Sequence, residues 1–362
     1  MRQGKIRLVL GGALMAVLLV IPFFFHSTFI LHMHTLVFLY IALTAAWNIP
    51  AFGGQLSLGH ASFFGIGAYT GAILYVKYGI SPLIGVPVAV LTSLVGGMIL
   101  ALPLVRLRGP FFTLASIAFT EVLRMVAIDW RSLTNGSVGI NIPFKIGWMN
   151  LTFQSGKPFY YIFLTLAVLI VYLSYRIRHS ALGFHLRAGA SDLEAAQALG
   201  VNTSFANFVA LMWSAAMTGV LGLFYSFYMY VLEPGSLFSF PLFSLQPALN
   251  GIIGGMGTIW GPVIGAAIMT PLGEFLRFYL GTIQQGLNYV VYGLVLIATV
   301  RYIPGGVVSL VSSLLRKVNI RQGAFLALDR EVDNAATGIE TSLEELRRSD
   351  GSEGGELQRT RR

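Results

Sequence analysis

ALGFHLRAGASDLEAAQALGVN, residues Ala181–Asn202, is a polar window between two long apolar runs. On a helix, Ala195, Ala196 and Leu199 fall on one small apolar face, with Glu194 and Gln197 beside it. Gly200 stands where a helix-ending glycine is expected. The window therefore reads as a short amphipathic helix held between membrane spans and shaped to sit in a partner's groove. The plainer alternative is a surface helix that only joins two spans, and the rest of the chain decides between them.

The surrounding composition fixes the solvent. At 55% hydrophobic and 11% charged residues, with a mean hydropathy of +0.73, the chain is too apolar for a soluble globule. Several apolar stretches approach the ~20 residues needed to cross a hydrocarbon layer as helices. A membrane β-barrel would show short alternating segments instead, and none is seen. The chain has no cysteine, which excludes disulfides, thiolate metal sites and cysteine nucleophiles. The net charge of +9 does not point to nucleic acid, because the excess lies beside apolar segments: residues 1–320 hold 17 Lys+Arg and 6 Asp+Glu, and 321–362 hold 7 and 9. The start, Met1–Phe25, has a basic beginning before an apolar run, but no small-x-small cleavage site precedes His26, so it reads as a retained first span.

Ten spans are expected, near Leu8–Phe25, Phe29–Ile49, Ser57–Val76, Pro82–Val105, Phe111–Ile128, Phe159–Tyr175, Phe205–Tyr230, Phe243–Gly255, Ile259–Leu280 and Leu287–Val300. The eighth is short and reads as re-entrant or broken. Ten crossings put both termini on one side. That side receives eleven Lys or Arg, including Arg106, Arg108, Arg176, Arg178 and Arg187, against five on the other, which makes it cytoplasmic. The Glu194 window then faces the cytoplasm. The longest outer loop, Asp129–Pro158, carries turn residues and tryptophans suited to the outer membrane surface, either as a packed cap or as a docking surface for an external protein. The expected division is a transmembrane domain over 1–313 and a polar, disordered cytoplasmic tail over 314–362.

Chemistry concentrates in FGGQLSLGHASFFGIGAYT, Phe52–Thr70. Its glycines permit close helix approach and non-helical backbone at membrane depth, which is tolerated only when buried in protein or lining a cavity. Gln55, Ser57, Gly59, His60 and Tyr69 are therefore candidates for a translocation pathway, set against simple small-residue packing. Thr113 and Thr258 are candidates from other spans. Glu121 and Arg124, at i,i+3 halfway along the fifth span, either line a wet interior or form a salt bridge that fixes helix packing. Gly254–Ala267 echoes Gly53–Ala68 and suggests an internal repeat of two half-units. No phosphate loop, HExxH or paired intramembrane acids with a nucleophile occurs, so no catalytic role and no metal site is read from the chain.

The Phe52–Thr70 string closely resembles the LivM-type permeases of branched-chain amino acid ABC importers. Further resemblance follows in order at Arg108–Ala115, Leu133–Ile140, Gly183–Gly200 and Gly254–Ala266, together covering most of residues 40–305. Glu194-Ala195-Ala196 with Gly200 resembles the loop by which such permeases engage their ATPases. The resemblance implies a coupling set of Arg187, Glu194, Ala195, Ala196 and Gly200, and an all-α polytopic transport subunit in a bacterial inner membrane. It also implies a LivH-type permease partner, two cytoplasmic ATPases holding ATP and Mg, and an extracytoplasmic amino-acid-binding protein. Two features depart from the pattern. Val201–Trp213 runs directly into the next span where importer loops often continue to Leu-Pro, and the tail after Lys317 is longer than the family needs. Urea or short amides as substrate, and a self-contained secondary carrier, are the alternative readings.

Overall fold

The computed structural model describes residues 16–24, 27–102, 109–280, 287–303 and 305–310. The start of the first expected span and the tail over 314–362 lie outside these residues. The principal helices among the described residues are α1 (Thr28–Ala51), α2 (His60–Tyr78), α3 (Pro82–Ala101), α4 (Pro110–Asp129), α5 (Lys157–Arg178), α6 (Ala181–Ser191), α7 (Leu193–Ala198), α8 (Thr203–Met229), α9 (Gln246–Gly255), α10 (Trp260–Leu280) and α11 (Leu287–Tyr302). Residues 16–24 are also helical. Among the described residues, six segments are long and apolar enough to cross a membrane: α1, α3, α4, α5, α8 and Pro234–Gly255. The protein is a polytopic α-helical membrane protein.

α1 sits at the centre. Nearly every residue from Leu36 to Ala51 is buried, with α5, α8, α9 and α10 packed around it. A helix that is apolar on all faces needs that enclosure. A second group joins α2, α3 and α8 through small residues: a Cβ on Gly67 would lie 2.0 Å from the Gly219 carbonyl oxygen. Such seams let membrane helices close where no water drives them together. α4 is the opposite case, burying only 22% of its most apolar stretch and exposing Phe111, Leu114, Val122 and Met125.

The 27 residues of α8 span about 40 Å and separate two ends of the bundle. At one end lie α6 and α7. At the other, the loop after α4 folds into a packed cap, in which β1 (Ile140–Asn141) pairs antiparallel with β2 (Val231–Leu232). Ile140, Ile142 and Leu151 fill that cap, while Trp130 and Trp148 stay exposed at its surface. Where the eighth span was expected, Phe243–Gly255, the chain is helical throughout: a π-helical turn at Pro241–Leu245 runs directly into α9, and a separate single turn at Pro234–Leu237 precedes it.

Candidate functional site

Two interruptions of the helical backbone meet beside the end of α1. The first runs from Phe52 to Gly59. Gly53 and Gly54 form a turn, with Gly54 at φ 73°, and the chain stays non-helical until His60. α2 therefore begins three residues later than the span expected from Ser57. The cause is local, since the Ser57 carbonyl accepts a hydrogen bond from Trp47 Nε1 at 2.8 Å instead of entering a helix. Side chains satisfy the rest of this backbone. Thr113 Oγ1 donates to the Leu56 carbonyl at 2.7 Å, and Ser116 Oγ accepts from the Leu58 N–H at 2.9 Å. Ser244 Oγ accepts from the Ala61 N–H at 2.9 Å, filling one of the donors a helix start leaves open.

His60 is fully buried at the head of α2. Its Nε2 lies 2.6 Å from Ser214 Oγ, which donates to the Ala46 carbonyl at 2.8 Å. Because the serine proton is committed to Ala46, His60 Nε2 is the donor and Nδ1 is the bare nitrogen. That Nδ1 is buried with no hydrogen-bond partner.

The second interruption follows α9, where Gly255 has φ 124° and Gly257 φ 76°. Thr258, fully buried, starts α10: its Oγ1 donates to the Gly255 carbonyl at 2.8 Å and accepts from the Gly261 N–H at 2.9 Å. Asn48, from the last turns of α1, closes this break with one carboxamide. Its Oδ1 accepts from the Gly257 N–H at 2.9 Å, and its Nδ2 donates to the Thr258 carbonyl at 2.6 Å. Non-helical backbone inside a membrane protein needs this kind of partner. Arg178, the last residue of α5, reaches the same place. Its guanidinium lies 5.4 Å over the Phe52 ring and donates to the Gly257 carbonyl.

The polar window of α6 and α7 abuts the first break. Leu186 packs on Gly53 and Ala190 on Gly54. Asp192 caps α7 by accepting from the Ala195 N–H at 2.9 Å. Gly200, at φ 83°, ends it: the Gly200 N–H donates to the Gln197 carbonyl at 2.9 Å and the Val201 N–H to the Ala196 carbonyl at 3.0 Å, the paired closure typical of a terminal glycine. The single apolar face expected for Ala195, Ala196 and Leu199 is not formed. Ala195 and Leu199, one turn apart, are exposed with Glu194, whereas Ala196 is rotated about 100° away and buried against the bundle. Arg187 stays on its own helix, donating to the Gly183 carbonyl at 3.2 Å and lying 4.8 Å over Phe184.

Ser57, Gly59, His60, Thr113 and Thr258 thus gather around the breaks. Tyr69 does not: it lies nine residues beyond His60, about 13 Å along α2, where its hydroxyl contacts the Leu232 carbonyl at 3.4 Å and its ring stacks on Phe238. Gln55 is half-buried, with Oε1 lacking a hydrogen-bond partner. Glu121 pairs with Arg124 on the outside of α4, its side chain 54% exposed, so it does not line the interior of this chain. Asn48, Arg178, Ser116 and Ser214 were not anticipated as site residues. The available signal was a carboxamide inside an apolar span at Asn48, and a basic residue directly at a span end at Arg178.

Comparison with known proteins follows the same direction. Residues 29–300 match the family described as branched-chain amino acid transport system / permease component. The chain is 28% identical over 267 residues to the high-affinity branched-chain amino acid transport system permease protein LivM of Salmonella typhimurium, covering 67% of this chain and 62% of that protein. The Escherichia coli protein of the same name gives the same identity and coverage. The probable branched-chain amino acid transport permease protein LivH of Methanocaldococcus jannaschii is 26% identical over 297 residues, 77% of this chain and 90% of that protein. The chain therefore spans less than two thirds of the length of the two LivM proteins. No solved structure matches.

Proposed function

The chain belongs to the family of branched-chain amino acid transport permease components, and from that premise we propose that it is the transmembrane subunit of an ABC importer. It carries branched-chain or other apolar L-amino acids into the cytoplasm. The observation that carries this reading is the contact of the α6–α7 window with the first glycine break, together with Arg178 at the end of α5 reaching the second, because it joins an exposed polar surface to irregular backbone inside the bundle. In this reading the chain crosses ten times, with both termini cytoplasmic and two related half-units, and residues 314–362 form a cytoplasmic tail.

The partners are a LivH-type permease, two ATPases docking on Glu194, Ala195 and Gly200, an extracytoplasmic amino-acid-binding protein, and membrane lipid. ATP and Mg are held by the ATPases, and this chain contributes no catalytic group. The second permease covers an exposed membrane face, and α4 is the least enclosed of the six apolar segments. A route between the two permeases would be lined from this side by such a face, including Glu121. Ser57, Gly59, His60, Thr113 and Thr258 form the inner gate. Receptor contacts select the substrate before release, so the gate needs few polar contacts of its own.

The test is made on the assembled complex. Glu194→Lys, or Gly200→Val at its left-handed φ, should abolish substrate-stimulated ATP hydrolysis while the permease remains in the membrane. Normal stimulation in both variants would refute the coupling role. Uptake that persists without ATPases and follows the proton gradient would move the chain to the secondary carriers.

A further inference from the structure

We propose that Arg178 carries movement of the α6–α7 window into the second glycine break, by holding the Phe52 ring and the Gly257 carbonyl at once. This rests on the reading of the chain as an ATPase-driven permease. Arg178 is only 5% exposed. A buried guanidinium must be matched by partners, and a planar fork can stack on a ring while donating sideways, which an ammonium cannot do.

The two ends of the link are both tight. On the side of the window, a Cβ on Gly183 of α6 would lie 2.2 Å from the Arg178 carbonyl oxygen, and Ser180 Oγ donates to the Ile177 carbonyl at 2.6 Å. The end of α5 and the start of α6 are therefore in backbone contact and move together. On the other side, both peptide groups of Gly257 are held by side chains from elsewhere: Asn48 of α1 takes its N–H and Arg178 of α5 takes its carbonyl. Gly257 sits at φ 76°, where only a glycine rests easily, so its position is set by these two grips. Asn48 fixes it to the central helix, and Arg178 ties it to the helices that meet the partner. A shift of α6 must then move Gly257, or break the bond. Arg178 is accordingly a positioning residue.

The native absence of cysteine makes the test direct. Met256→Cys is introduced next to Gly257, and its labelling by a membrane-permeant maleimide is followed in the full complex with and without a non-hydrolysable ATP analogue. With Arg178 intact, the nucleotide should change the labelling rate on the order of fivefold. Arg178→Ala should abolish that dependence, and so should raise the ATP hydrolysed per substrate moved. Arg178→Lys, which keeps the charge, should lose more than half of the dependence. Arg176→Ala, at an exposed neighbour, should keep it. A residue that served only folding would lower the yield of complex without changing the labelling ratio. Should Arg178→Ala fail to reach the membrane, Arg178→Lys decides. Full nucleotide dependence in either recovered variant overturns the proposal. If the intact chain shows no dependence and recruits no ATPase, the importer reading fails and the proposal falls with it.

Discussion

The two glycine breaks look alike in sequence but are built differently. Gly53-Gly54 is followed by Ser57 in one, and Gly254-Gly255 by Thr258 in the other. At the first break, an added Cβ on Gly54 would meet only the Ala190 methyl at 3.8 Å, and one on Gly53 would meet the far ends of the Asn207 and Leu186 side chains. Around the second, backbone meets backbone. A Cβ on Gly254 would lie 1.9 Å from the Gly261 carbonyl oxygen, and one on Gly265 would lie 1.9 Å from that of Asn250. The Gly53-Gly54 turn of the first break can therefore shift by side-chain rearrangement, although at its far end a Cβ on Gly59 would lie 3.0 Å from the Ser116 carbonyl oxygen. The second is a seam that locks α9 to α10, so the pair moves as a unit when Gly257 moves.

The largest effect should come from filling that seam. Gly265→Ala forces α9 and α10 apart against backbone that cannot turn aside, at a cost of about 3 kcal/mol, the upper end for overpacking. Gly54→Ala meets no clash and should cost about 1 kcal/mol, the strain of a left-handed φ on an alanine. Thermal unfolding of the purified full chain in detergent compares the two directly. Equal losses would erase the distinction between a loose turn and a locked seam.

A smaller contrast separates the polar grips on the breaks. Asn48→Ala strips partners from the part-buried Gly257 N–H and the buried Thr258 carbonyl at once, and a buried group left unsatisfied costs about 1–3 kcal/mol. Ser57→Ala removes only a hydroxyl whose contact to the Gly59 N–H is 3.5 Å long, and should cost less than about 1 kcal/mol. The Ser57 carbonyl, which does the structural work with Trp47, survives that change. Asn48→Asp keeps the acceptor but sets a carboxylate oxygen against the Thr258 carbonyl in a fully buried site, so it should cost at least as much as Asn48→Ala in the same unfolding measurement. A Ser57 variant as damaged as Asn48→Ala would mean that the first break is held as rigidly as the second.

Much of this was legible in the sequence, for physical reasons. Long apolar runs fix a helical membrane protein because no other open structure satisfies its backbone in lipid. Gly200 announces a helix end because few residues accept φ 83°. The glycine-rich string Phe52–Thr70 signals irregular backbone for the same reason. What could not be read is which distant side chains serve that backbone. Asn48 is 209 positions from Gly257, and Arg178 is 79 positions away. Local periodicity carries no information on pairings of that length. The same limit explains Glu121: its partner Arg124, three residues on, was foreseen, but the outward direction of that face depends on where α2 packs. Ala196 was misplaced because a helix six residues long offers too little periodicity to say which side is covered.

The smallest effect should come from His60, at the head of the helix that follows the first break. Its Nε2 donates to Ser214, and Ser214 passes the bond to the Ala46 carbonyl, joining α2, α8 and α1. Glutamine also presents an N–H at the end of a short side chain, so His60→Gln preserves the donor that matters and removes only the unpartnered Nδ1. Uptake by the assembled transporter should fall about threefold, the loss expected from one imperfect hydrogen bond. Ser214→Ala breaks both links and leaves the imidazole donor buried without a partner, so it should fall about tenfold. At the second break no such relay is needed, because Thr258 caps its own helix with its hydroxyl. The order of the two variants is decisive. If His60→Gln is the more damaging, and if it also removes a pH dependence of uptake, the imidazole works as a proton carrier and the first break is a chemical site. If Ser214→Ala is worse, His60 is a packed strut, and the first break differs from the second only in how its backbone is held.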